Sequence, residues 1–392
     1  MFKLRPYQQE ASDKALKYLV DKKDFKASVM VLPTGSGKSV IIADIASRYT
    51  EPILILQPSK EILEQNFAKL CALGVLDCSI FSASVGQKKI NRITFATIGS
   101  IINKLDMFAH FKCIMIDEAH CINAKGGMYL DMINFFGKGK IKILGLTATP
   151  FRLYSNSAGS TIKMITNTRP KIFSTILYGV QIKKMVEAGF LAKVEYFPMT
   201  QIDRSRLKLN STGADYTEKS LLEEYNRSDF ALGLQGIVIR LLNAAKIRRG
   251  ILVFTRFIAE SESLMHAINS SFGEICAMVT GDTPKKEREN TLGRFKNGDL
   301  KILCNANCLT TGFDYPELDC VVMARPTMSL AMYYQIVGRG IRPAPNKDSA
   351  WYVDLCGNIE RFGDVAEFRF IYDHKRRVQL SNGRRILTDV IL

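Results

Sequence analysis

Two short stretches hold residue types whose order suits phosphate chemistry. The first, "VLPTGSGKS" (31–39), sets Gly35 and Gly37 just ahead of Lys38 and Ser39. Glycines let backbone N–H groups crowd around an anion. Lys38 adds a point charge for outer phosphates, and Ser39 is a hydroxyl ligand for Mg2+. An apolar run precedes this turn and a helical pattern follows it, so a helix N-terminus would face the phosphates. The pattern G-x-x-x-x-G-K-S/T is incompletely met, because Leu32 stands at its first glycine. The second stretch, "CIMIDEAHCI" (113–122), ends an apolar run in two adjacent carboxylates and a histidine. Strand ends are where parallel sheets hold ligands. Asp117 is placed to hold Mg2+ through water, and Glu118 to orient or deprotonate an attacking water.

A third stretch, "QIVGRGIRP" (335–343), spaces Gln335, Arg339 and Arg342 by four and three residues. On a helix that spacing puts all three on one face. Gly338 and Gly340 between them cost helix stability. Either something backs closely onto this segment, or its arginines reach for a partner elsewhere.

Elements that could position these residues alternate along the chain. Runs at 27–33, 52–58, 92–97, 113–119 and 141–149 are rich in Ile, Val and Leu. Helical patterns such as 36–48 and 59–73 separate them, an order that predicts a parallel α/β sheet. A second alternating block has strand candidates at 249–255, 274–280, 301–306, 320–325 and 350–355, with helices over 258–271 and 284–297. The expected division is a first domain at 1–195, a polar connector at 196–228, a second domain at 229–372 and a basic tail at 373–392. That tail reads as hairpin-like around Asn382-Gly383.

The chain has 392 residues, 47% hydrophobic content and a formal net charge of +16. That length suits two or three domains with real cores. The basic excess points to a polyanion partner. No apolar run approaches a membrane span, and the start "MFKLRPYQQE" has no secretory signal core, so an intracellular, cytoplasmic setting is expected. Nine cysteines without a C-x-x-C pair read as reduced, packed thiols.

The motifs, in order, resemble those of superfamily-two helicases and translocases of the DEAH-signature kind, closest to the group of RadD, XPB/SSL-type motors and type III restriction motor subunits. "LRPYQ" (4–8) is similar to the adenine-reading Q motif, and "PTGSGKS" (33–39) to motif I in that group's own form, without the first glycine. "LQPSKEILEQ" (56–65), "TIGS" (97–100), "DEAH" (117–120) and "TATP" (147–150) resemble motifs Ia, Ib, II and III. "LVFTR" (252–256), "TGDTPKKERE" (280–289), "LTTGFDYP" (309–316) and "QIVGRGIR" (335–342) resemble motifs IV, IVa, V and VI.

The resemblance implies two tandem RecA-like domains with ATP and Mg2+ in the cleft between them. It implies nucleotide contacts from Arg5, Gln8, Thr34, Gly35, Ser36, Gly37, Lys38, Ser39 and Asp314. Lys38, Asp117, Glu118, Gln335, Arg339 and Arg342 would be catalytic, with metal held at Ser39 and Asp117. Arg339 and Arg342 would face the γ-phosphate from the second domain, the glycines letting them approach. Ser59, Lys60, Thr97, Thr255, Arg256, Thr280 and Thr310 would contact nucleic-acid phosphates, which positions a strand without reading its sequence. Thr147 and Thr149 would couple the two sites. The expected activity is ATP-dependent movement along DNA, single-stranded or branched DNA being favoured. An RNA helicase, or a motor subunit of a larger restriction or repair assembly, is the alternative. For the basic tail (Lys375, Arg376, Arg377, Arg384, Arg385) two readings stay open: a wider nucleic-acid track, or a solvated surface hairpin.

Overall fold

The computed structural model describes residues 3–137, 141–156, 159–244, 250–306 and 315–390. Thr310 and Asp314 lie outside the described residues. The chain forms two compact units, the first comprising 1–152, 163–181 and 371–379, the second 153–162, 182–370 and 380–392.

In the first unit, apolar runs become strands β1 (Ser28–Val31), β2 (Ile53–Leu56), β3 (Cys78–Ser82), β4 (Gln87–Lys88), β5 (Ile93–Ala96), β6 (Cys113–Ile116) and β7 (Lys142–Thr147). After the short pair β8 (Phe151–Asn156) and β9 (Gly159–Met164), β10 (Thr175–Gly179) completes an eight-stranded sheet of order β10-β1-β7-β6-β2-β5-β3-β4. All neighbours are parallel except the β3–β4 edge pair. The strands β1, β2, β5, β6 and β7 are buried along their whole length, which explains their unbroken hydrophobic runs. One face packs against α1 (Pro6–Val20), α2 (Lys38–Arg48) and α3 (Lys60–Cys71). The other is covered by α4 (Ile98–Ile101), the turn of 102–108 and α5 (Met128–Phe136).

In the second unit, the stretch after α6 (Ile182–Glu187) turns at Gly189, φ 70°, into β11 (Lys193–Pro198). β11 pairs with the last strand, β16 (Ser349–Asp354). Between them in sequence come α7 (Glu218–Arg227), α8 (Phe230–Asn243), β12 (Ile251–Thr255), α9 (Ile258–Phe272), β13 (Cys276–Val279), α10 (Lys285–Asn297), β14 (Ile302–Ala306), β15 (Cys320–Ala324) and α11 (Leu330–Gly340). The sheet runs β11-β16-β15-β12-β14-β13, every neighbouring pair parallel. After α12 (Asn358–Phe362), β17 (Arg369–Tyr372) pairs with β18 (Val378–Ser381). Among the described residues no helix is long and apolar enough to cross a membrane.

The spacing of the third motif is only partly helical. α11 contains Gln335 and Arg339 and ends at Gly340, so Arg342 lies beyond it. Pro343 follows Arg342 and disfavours helical backbone there. Gly340 also has a reason inside its own unit: a Cβ there would lie 3.0 Å from Ala350 Cβ on β16. The helix is backed closely by its own sheet.

One glycine ties the first sheet to its acidic turn. A Cβ at Gly145 on β7 would stand 2.7 Å from Ala119 Cβ and 2.8 Å from Phe173 Cζ. Gly145→Val therefore overpacks this contact, with a cost of about 1–3 kcal/mol. Chemical denaturation should show a lowered midpoint, and nucleotide affinity should fall with it. Unchanged stability and affinity would contradict the close approach.

Candidate active site

Because β1, β7, β6 and β2 are adjacent and parallel, their C-terminal ends bring four loops to one edge. After β1, Gly35 (φ 81°) and Gly37 (φ 79°) take left-handed backbone. Gly37 begins α2, and Val40 N donates to Gly37 O at 2.9 Å. A Cβ at Gly37 would meet Gln8 Nε2 at 2.5 Å and displace that amide, and the left-handed backbone disfavours any other residue there. Gln8 Nε2 donates to Ser36 O at 2.9 Å, and Tyr7 Oη donates to the same oxygen at 2.7 Å. Arg5 N donates to Gln8 Oε1 at 2.9 Å, fixing the amide's orientation. Arg5, Gln8 and the turn of Thr34 to Ser39 thus form one constellation. Ser36 Oγ is buried and has no partner.

After β6, Asp117 and Glu118 leave the strand, and Glu118 adopts left-handed backbone, φ 50° and ψ 49°. For a residue with a Cβ this costs about 1–2 kcal/mol. Lys38 Nζ stands 3.3 Å from Glu118 Oε1. His120 Nδ1 lies 3.2 Å from Glu118 Oε2, within ion-pair range but not aligned as a hydrogen bond, and 2.9 Å from Thr147 Oγ1. Thr147 Oγ1 also accepts from Thr149 N at 3.0 Å. The end of β7 is therefore wired to the acidic turn.

The two acids are shifted in opposite directions. Burial, then the charge of Glu118, pushes the Asp117 carboxyl up. Burial also opposes ionisation of Glu118, but Lys38 and His120 outweigh it and hold Glu118 well below its ordinary value. Asn66 Nδ2 on α3 donates to Asp117 Oδ2 at 3.4 Å. The buried Asn66 Oδ1, Thr149 Oγ1 and both polar atoms of the Gln57 side chain have no partner.

These groups fit a nucleoside triphosphate with a hard divalent cation. Ser39 and Asp117 supply hydroxyl and carboxylate oxygens, the donors Mg2+ takes. Among the described residues no group of three or more His, Cys, Asp or Glu is set to hold a metal ion. Mg2+ characteristically completes its shell with waters and substrate phosphates, so two protein ligands suit it.

The remaining residues named from the sequence are spread over both units. In the first, Ser59 Oγ caps α3 by accepting from Ile62 N, Lys60 stands 3.9 Å from Glu64, and Thr97 Oγ1 meets Ser100 Oγ at 2.9 Å. In the second, Thr255 is fully buried, its hydroxyl on Ser261 Oγ at 2.8 Å and Phe257 O at 3.1 Å. Thr280 Oγ1 meets Thr283 Oγ1 at 3.3 Å, while Arg256 pairs with Glu218 at 3.5 Å. Arg339 is buried, Gln335 and Arg342 are half-buried, and burial lowers the pKa of Arg342. Tyr7, Gln57, Asn66 and His120 join the first unit's constellation without having been singled out in sequence. For Tyr7 and His120 the signal was adjacency to Gln8 and Glu118. For Gln57 and Asn66 there was none.

Burial opposes protonation of His120, but Cys121 and Glu118 outweigh it and push its pKa up to about 9. An unfolded histidine titrates near 6.5. The pair's contribution to stability is therefore full below about pH 6.5 and is lost as the pH rises through about 9. Nuclear magnetic resonance of the His120 ring should give a midpoint near 9, moving down in Glu118→Gln. A wild-type midpoint at or below about 6.5 would contradict the pairing.

Comparison with known proteins places this geometry. Residues 1–152 match the family model of the type III restriction enzyme res subunit, and 235–344 that of the helicase conserved C-terminal domain. IRC3 of Saccharomyces cerevisiae, by name an ATP-dependent helicase, is 25% identical over 383 residues, covering 90% of this chain and 51% of IRC3. The DNA 3'-5' translocase XPB2 of Sulfurisphaera tokodaii is 24% identical over 365 residues, covering 86% of this chain and 78% of XPB2. The ATP-dependent type ISP restriction-modification enzyme LlaBIII, solved bound to DNA, superposes with a TM-score of 0.65 at 18% identity, covering 91% of this chain and 28% of that one. The chain spans 61%, 51% and 58% of the lengths of three curated relatives it matches. With both helicase regions in order on two parallel α/β units of the RecA-like kind, this chain is a superfamily-two helicase-type protein of the group that includes IRC3, the XPB helicases and restriction-enzyme motor subunits.

Proposed function

We propose that the protein is a nucleic-acid-stimulated ATPase that couples ATP hydrolysis to movement along DNA or to its remodelling. The observation that carries this reading is the Lys38–Glu118–His120–Thr147 chain of contacts, which joins a phosphate-binding turn to an ionised carboxylate and on to the end of β7.

The domain division is read as two RecA-like domains, 1–195 and 229–372, joined by a connector at 196–228 and followed by a basic tail at 373–392. The backbone N–H groups of Thr34 to Ser39 cradle the phosphates, and the side chains of Arg5 and Gln8 select the base. Lys38 turns from Glu118 to the phosphates when substrate binds. Losing that positive neighbour raises the proton affinity of Glu118, which then takes a proton from the attacking water. Bound Mg2+ would supply positive charge against the negative charge that builds during transfer. Ser39 and Asp117 would hold it, with Asn66 fixing the rotation of the Asp117 carboxylate. Arg339 and Arg342 stabilise transition-state charge from the second domain, and Gln335 contacts nucleotide or water. Thr147 and Thr149 carry the state of Glu118, through His120, towards the nucleic-acid contacts.

The names of XPB2 and LlaBIII favour DNA over RNA as the track. Phosphate contacts are assigned to Ser59, Lys60, Thr97, Arg256, Thr280 and, outside the described residues, Thr310. Thr255 acts through its backbone, because its hydroxyl is committed internally. Asp314 is retained as a ribose-side contact. A role in recombination or repair, like the single-stranded or branched preference, is the finer part of the proposal.

Glu118→Gln should bind ATP and a DNA strand normally while its turnover falls by about 100-fold or more, the scale of a lost general base. Undiminished turnover would overturn the site. Arg342→Ala should lose a comparable share of rate with nucleotide affinity within about threefold of wild type, measured with a fluorescent ATP analogue. Collapse of affinity with rate would make Arg342 a binding residue.

A further inference from the structure

Three arginines from distant parts of the second unit converge on α12, a helix of five residues. Arg204 Nη1 donates to Gly357 O at 2.6 Å and to Cys356 O at 3.4 Å, and its Nη2 donates to Tyr216 Oη at 2.6 Å. Arg385 Nη2 donates to Glu360 O at 3.2 Å and to Arg361 O. The Arg361 guanidinium lies over the Phe362 ring, 5.6 Å from its centroid; among the described residues it makes no ion pair, and its Nε is buried without an acceptor. Arg361 is depressed in pKa chiefly by burial, with Arg204 and Arg385 adding to it against the opposing Tyr216.

Each fixed partner of this trio is a neutral oxygen. Glu360 lies on the same helix, yet its Oε1 accepts from Thr200 Oγ1 at 3.2 Å and it pairs with none of the three. Elsewhere in the unit Arg206 pairs with Asp203, Arg227 with Glu224, Arg325 with Asp215 and Arg256 with Glu218, while Arg288, among the described residues, stands alone on the carbonyls of Thr280, Gly281 and Thr283. The Glu360 Oε2 and Arg204 both lie against Gly357, but among the described residues no carboxylate comes within ion-pair range of the three guanidinium groups, which repel one another and favour an anion. Their planar donor forks match the oxygens of a phosphate.

Position indicates which anion. α12 follows the C-terminal end of β16, and the sheet order β16-β15-β12 is parallel throughout. Arg361 therefore stands at the same rim as Thr255 and Arg256 at the end of β12. Two strand spacings separate those ends, roughly 10 Å.

We propose that Arg204, Arg361 and Arg385 form a phosphodiester-binding site at the rim of the second unit's sheet, one that extends the nucleic-acid track beyond the motif residues. This rests on the nucleic-acid reading above and assigns Arg385 of the basic tail to the track rather than to a solvated hairpin.

The test is fluorescence anisotropy of the full chain with labelled single-stranded DNA and RNA across a potassium chloride series. Each lost phosphate contact lowers the slope of log affinity against log salt by about 0.7. Arg361→Gln with Arg385→Gln should lower it by about 1.4, equally for all sequences, whereas the doubly lysine-substituted chain should keep most of it. Arg206→Gln, at an exposed arginine already paired with Asp203, should leave the slope unchanged. If the double glutamine variant unfolds by circular dichroism, Arg385→Gln alone, at an exposed residue, should still lower the slope by about 0.7. Wild-type slope and affinity in the glutamine variants would overturn the site while leaving the ATPase reading standing. Loss of binding to polyglutamate with the nucleic-acid slope intact would also overturn it, in favour of an acidic polypeptide. A wild-type chain that binds no nucleic acid would overturn both readings.

Discussion

The contact between Lys38 and Glu118 at 3.3 Å sets the charge balance on which the rest of the first unit's edge depends. Two adjacent carboxylates, one buried and one half-buried, are unfavourable, and this fold tolerates them by treating each differently. Glu118 receives Lys38 and His120 and stays ionised, while Asp117 receives an amide from Asn66 and the cost of its neighbour's charge. The left-handed backbone at Glu118 aims its side chain towards the phosphate-binding turn. Replacing Lys38 at Glu118 by anything that draws the lysine away changes the proton affinity of that carboxylate. In the proposed mechanism, phosphate binding and proton transfer are linked through this one side chain.

Parallel sheets make this arrangement reachable from segments far apart in sequence. Four adjacent strand ends deliver the phosphate turn, the acidic turn, the Thr147 turn and the Gln57 loop to one edge. Gly145 lets Ala119 seat against β7, and Gly37 leaves room for Gln8. The second unit repeats the logic, its parallel strands β12, β15 and β16 ending at one edge with Arg256 and the buried Arg325 directly after β12 and β15. Its connector segment is not idle: Asp215, Tyr216 and Glu218 contact Arg325, Arg204 and Arg256 respectively.

Much of this was legible before any coordinates. Strands such as Ile53–Leu56 and Cys113–Ile116 are buried on both faces, so their composition carried the signal directly. Lys38, Asp117 and Glu118 were legible because each sits within a few residues of a strand-to-loop junction. Asn66 was not, since its contact with Asp117 spans 51 residues and nothing in its own helix requires it. The helical spacing of Gln335, Arg339 and Arg342 overreached, and Pro343 was the missed signal. Thr255 read as a surface hydroxyl, whereas Ser261 and the Phe257 carbonyl claim it. Arg204 sits in a polar stretch like any solvated charge, and only the folded chain brings it to Gly357.

The central claim is that hydrolysis at the Lys38–Glu118 site answers to a bound strand. Its most direct measurement is steady-state ATP hydrolysis without nucleic acid, then with single-stranded, duplex, forked and four-way DNA, and with RNA. The account predicts strong stimulation by DNA, greatest for single-stranded or branched forms. A rate that no polymer changes would contradict it, and stimulation by RNA alone would contradict the choice of DNA.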